Sequence, residues 1–155
     1  MDATLEQHQH LLVCIDRLNS AWKTLRLIEN HRGHPLVGAA FRYALVEYAT
    51  AFTRSDGQFR KYKSLPLDCV PAQTTALHQR IIDARNEVHA HADLKVLEAD
   101  IEVQYINGAK QVGQVQNYIH GIEELHNLRS IIELVEGVLE NVYALQRKSE
   151  KNLEP

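Results

Sequence analysis

Apolar residues recurring at steps of three and four constrain this chain more than any other feature. Leu11, Ile15, Leu18, Trp22, Leu25 and Ile28 fall at such steps, which gathers them on one face of a helix. The spacing predicts a long amphipathic helix over about residues 3–31, with Thr4 and Gln7 placed to form a capping box. His31 and Arg32 suit its negative pole, and Gly33 can take a left-handed stop. Pro35 then fits the first turn of a second helix, about 35–55, whose stripe is Phe41, Leu45, Tyr48 and Phe52. So short a link predicts antiparallel packing of the two.

Gly57, Pro66 and Pro71 break any regular pattern in "SDGQFRKYKSLPLDCVP", which reads as a loop. A third helix is expected from near Pro71 to near Asp93, carrying Leu77, Ile81, Ala84 and Val88 inward. From about Ala99 the period changes to two: Ile101, Val103 and Tyr105 alternate with Glu102, Gln104 and Ile106 up to Asn107-Gly108. That pair is a strong hairpin turn, because both positions tolerate positive φ. A return strand over about 110–117, with Gly113 as a bulge, completes a hairpin near 99–117. A lone hairpin is marginal, so it is expected to lie against the helices. The last helix, about 121–148, carries Ile122, Leu125, Ile132, Val135, Leu139, Val142 and Leu145, with Glu123 and Glu124 in its first turn. The expected architecture is all-α: a single-domain, up-and-down four-helix bundle with a small β-hairpin inserted between helices 3 and 4.

A chain of 155 residues buries roughly 70% of its unfolded surface, so neither a disulfide nor a metal is required for stability. The formal charge of −3 gives no global positive field for nucleic acid, and any phosphate contact must come from a local patch. Cys14 and Cys69 lack metal-ligand spacing, and a reduced, cytoplasmic chain is expected. Cys14 and Trp22, like the tyrosines of the second helix, read as core residues. The N-terminal "MDATLEQHQHLLVC" lacks the layout of a signal peptide. No apolar run approaches the ~20 residues that span a bilayer, so no membrane partner is expected.

Chemistry concentrates in "RNEVHAHAD", residues 85–93. On a regular helix Arg85 and His89 share a face, whereas Arg85 and His91 diverge by about 120° within one molecule. A histidine at the end of a helix feels its negative pole, which favours the protonated form. One alternative is purely structural: Arg85 pairs with Asp83 or Glu87, and the histidines solvate a helix end. A metal cluster of His89, His91 and Asp93 would need a strand, because alternate helical residues diverge by about 200°. Glu123-x-x-His126 has di-iron spacing, but no second copy accompanies it.

Arg85-Asn86, four further residues, then His91-Ala92-Asp93 near the end of a third helix resembles the motif of the HEPN superfamily, in particular the Ala-His-x-Asp ending of abortive-infection-type members. The resemblance implies metal-independent endoribonuclease chemistry without a cofactor, in a homodimer whose two chains line one cleft. It implies that His91 serves as general base or acid on the ribose 2′-hydroxyl or the leaving oxygen. Arg85 would neutralise charge on the phosphorane, with Asn86 orienting one of these groups. His89 and Asp93 are auxiliary candidates. Partners implied are RNA and, for a toxin or phage-defence effector, a cognate antitoxin or other protein. Some members carry a tyrosine two positions after the histidine that is modified by an antitoxin; Asp93 stands there instead. Other members are non-catalytic modules that bind a protein or nucleotide partner.

A second cluster gathers Arg54, Arg60, Lys61 and Lys63 around Phe59 and Tyr62. Cations fit phosphates and aromatic rings stack on unpaired bases, so these six are candidate RNA contacts, with a solvated charged loop as the alternative.

Overall fold

The computed structural model describes residues 3–56, 61–62, 65–86, 99–116 and 123–153. Helix α1 spans Ala3–Asn30 and α2 spans Val37–Thr50. A short antiparallel pair, β1 (Ser55–Asp56) and β2 (Lys61–Tyr62), follows. Helix α3 is Thr75–Ala84 and α4 is Leu128–Lys151; between them β3 (Ala99–Ile106) and β4 (Ala109–Gln116) form an antiparallel hairpin. Among the described residues this is the expected four-helix, up-and-down bundle with a β-hairpin between its third and fourth helices.

The apolar stripes do build the core. Leu18 and Leu25 of α1 are fully buried, as are Phe41, Leu45 and Tyr48 of α2. Ile81 of α3 and Ile131, Leu134, Val135, Val138 and Val142 of α4 complete the interior. Trp22 packs half-buried at the edge and donates its indole N–H to Glu136 of α4 at 2.8 Å. Cys14 is buried as expected, whereas Tyr43 points outward at 51% exposure, so only Tyr48 of the α2 tyrosines is core.

Several boundaries differ from the sequence reading for identifiable reasons. Thr4 already lies inside α1 rather than capping it. The α1–α2 link is two successive turns, closed by His34 N–H to His31 C=O and Val37 N–H to His34 C=O, both 3.0 Å. Gly33 therefore has no need of a left-handed conformation and does not adopt one. Pro35 lies in the second turn, ahead of α2 rather than in it. The presumed loop after α2 carries the β1–β2 pair and a 3₁₀ turn at Leu67–Cys69. It is fastened down: Leu65 N–H donates to Ala51 C=O (3.2 Å), and Asn141 of α4 donates to Cys69 C=O (3.0 Å).

The hairpin also departs from expectation. Its turn is as read, with φ of 51° at Asn107 and 79° at Gly108. Its register, however, runs without a break from Ala99↔Gln116 to Ile106↔Ala109. Gly113 sits directly opposite Glu102, so there is no bulge. Nor does the hairpin lie against the helices over its described side chains: every residue from Val103 to Gly113 is exposed.

Helix α4 begins later than its periodicity suggests. A 3₁₀ turn, Glu123–Asn127, precedes it, so Glu123 and Glu124 stand ahead of the helix rather than in its first turn.

Candidate functional site

Helix α3 is short, and tertiary packing rather than propensity holds it. Leu77, His78 and Ile81 are its buried face. Because Arg85 follows Ile81 by four positions, it stays toward the core-facing side and is half-buried, while Asn86 is exposed. Arg85 keeps a helical φ of −61° and ψ of −43°, its N–H still bonded to the Ile81 carbonyl, and the two residues open into a turn of π type, a local geometry frequent where helices carry function. The Arg85 guanidinium donates from Nη1 to Oδ1 of Asn86 at 3.0 Å. Arg85 makes no ion pair among the described residues, and Asp83 instead accepts from Gln79 at 2.8 Å. The pairing of Arg85 with Asp83 considered from sequence is therefore not formed. His89, His91 and Asp93 lie outside the described residues, as does Glu87.

Two contacts unseen in the sequence hold α3 in place. On the buried side, Tyr48 Oη and His78 Nδ1 are 2.8 Å apart, and Phe52 meets the imidazole edge-on at 4.6 Å between ring centroids. Burial lowers the His78 pKa from its ordinary value and raises that of Tyr48. On the solvent side, Arg80 forms an ion pair with Glu124, in the turn that leads into α4. Glu124 titrates below the ordinary carboxylate range, first because Arg80 donates a hydrogen bond to it. Partial burial opposes that shift, and a 2.6 Å bond from Asn127 reinforces it. The base of α3 is thus fixed to both α2 and the start of α4, so Arg85 and Asn86 project from an anchored stem.

The second cluster is described only in part. Arg54 is exposed and immediately precedes β1, and the β2 backbone pairs Lys61 with Asp56 and Tyr62 with Ser55. Phe59, Arg60 and Lys63 lie outside the described residues. A cleft of about 490 Å³ opens between the start of α1 and the end of α4, lined in part by His10, Leu65, Lys148 and Ser149. Neither Arg54 nor Arg85 and Asn86 line it. No group of three metal-ligating side chains occurs among the described residues, and no helix among them is long and apolar enough to cross a membrane. No protein-family model, no curated protein and no solved structure matches this chain.

Proposed function

We propose that this protein is a metal-independent endoribonuclease of HEPN type, a toxin or phage-defence effector that works as a homodimer. The observation that supports the reading is the placement of Arg85 and Asn86. They sit side by side at the end of the third helix of a four-helix bundle, hydrogen-bonded to each other, with the arginine not engaged in an ion pair among the described residues. The Asn86 bond uses one of the five N–H donors of the guanidinium, and the fork of the group matches phosphate oxygens. In this reading Arg85 stabilises the charge of the phosphorane, Asn86 steers the Arg85 fork, and His91 moves the proton of the 2′-hydroxyl or of the leaving oxygen. A second chain supplies the complementary residues across a cleft, which answers the divergence of Arg85 and His91 on one helix.

The test is cleavage of a labelled RNA by the purified full chain in EDTA. Arg85→Ala and His91→Ala are each expected to lower the rate by about 10²–10⁴ while the circular dichroism spectrum stays that of the parent. Cleavage that persists unchanged in both variants refutes the proposal. No cleavage by the parent, with a co-purifying protein lost in Arg85→Ala, replaces it with a non-catalytic binding module.

A further inference from the structure

The hairpin is a two-stranded sheet among the described residues, so β4 has a partner on one side only. A two-residue turn closes on a hydrogen-bonded pair, here Ile106 and Ala109. Alternation of the antiparallel ladder then turns Gln111 and Gly113 inward toward β3. The same alternation directs the N–H and C=O groups of Lys110, Val112 and Gln114 outward along the free edge. We propose that this edge pairs antiparallel with β4 of a second copy of the chain, about a two-fold axis through Val112, making a four-stranded sheet.

The register follows from the side chains. Val103 and Val112 are cross-strand partners on one face, 46% and 64% exposed. With Val112 on the axis, the outward groups of Val112 meet those of the partner's Val112. Lys110 meets Gln114 of the partner subunit, and every outward group between them is satisfied. On one face Val103 and Val112 then continue into the partner's two valines as an unbroken apolar row. Shifting the axis to Gly113 takes Val112 off its own copy and breaks that row.

Charge favours β4 for this contact. It carries one charged residue, Lys110, in eight, and the register keeps that cation away from its own copy. Strand β4 also lacks the devices that keep an edge solitary: it has no proline, no bulge and no charge at its centre. The inference is independent of the ribonuclease reading, which places its dimer contact at the end of α3.

Sedimentation equilibrium of the full chain tests it. The parent's mass is expected to double as concentration rises over roughly 10 µM to 1 mM, starting from the 17.7 kDa chain or from the dimer that the α3 contact holds. Val112→Pro removes an outward N–H that the β3–β4 ladder does not use, so the hairpin survives. Its doubling in mass is expected at a concentration at least about tenfold higher. Val112→Cys is expected to be joined to its own copy by a short bis-maleimide, which spans the wider spacing of a hydrogen-bonded pair, and Gln111→Cys is not; the native thiols, Cys14 and Cys69, are buried. A parent whose mass does not change with concentration overturns the inference. So does a doubling that Val112→Pro leaves unchanged, or cross-linking no greater at 112 than at 111. RNA cleavage retained by Val112→Pro is expected in every case, which keeps this test separate from that of the function.

Discussion

Replacing Tyr48 with phenylalanine isolates one buried hydrogen bond. Tyr48 is fully buried, His78 is 3% exposed, and their polar atoms are 2.8 Å apart. The substitution keeps the ring and its packing against Phe52 at 5.2 Å, and strands the imidazole nitrogen in the core. An unsatisfied buried polar group costs about 1–3 kcal/mol, and that is the expected loss in urea unfolding followed by circular dichroism, at unchanged m-value. The same pair sets an acid limit. Burial holds the folded His78 pKa below its ordinary 6.5, so below that pH the unfolded chain takes up a proton that the folded chain resists. Stability from this group is complete above about pH 6.5 and falls as pH drops toward the folded value. His78→Gln removes the titration, and its stability is expected to fall less steeply between neutral and mildly acidic pH. Tyr48→Phe within about 0.5 kcal/mol of the parent, together with an acid slope unaltered in His78→Gln, refutes the reasoning.

Gly137 lies in α4 where an added Cβ would come 2.6 Å from Pro71 Cγ. Gly137→Ala is expected to destabilise despite the better helix former, because overpacking costs about 1–3 kcal/mol against a propensity gain of about 1. In a Pro71→Ala background the same change becomes stabilising, and thermal melts of the four proteins check the reversal. Burial pushes the Cys14 thiol up to about 11 and raises Cys69 as well. A thiol-specific chromogenic reagent at pH 8 is therefore expected to label neither until denaturant is added. Rapid labelling of the native protein would contradict their burial.

The two long helices were legible in the sequence because their information is local. A stripe such as Leu18, Leu25 and Ile28 needs only the pitch of the helix to declare which face turns inward. The turn at Asn107-Gly108 was legible for the same reason, since two adjacent residues decide its φ values. Contacts between distant elements were not. Tyr48 and His78 are 30 positions apart, and Asn141 reaches Cys69 across 72; no periodicity encodes such a meeting. Gly113 looked like a bulge because glycine in a strand often marks one, yet the uninterrupted register simply seats it opposite Glu102. Glu124 looked like a helix-dipole residue and serves as the ion-pair partner of Arg80. Of the candidate site, the adjacency of Arg85 and Asn86 was readable, while the hydrogen bond between their side chains depends on rotamers that no spacing declares.

That anchoring has a consequence for engineering. Arg80 and Glu124 are 44 positions apart, so their ion pair fastens together the two ends of a long excursion that includes the hairpin. Closing a loop costs only slowly more as it lengthens, and the bundle's interior draws on none of the exposed residues from Val103 to Gly113. The Asn107-Gly108 tip is therefore a grafting point. A peptide tag or a small reporter spliced there would ride outside the core, leaving the helices to fold around their own stripes.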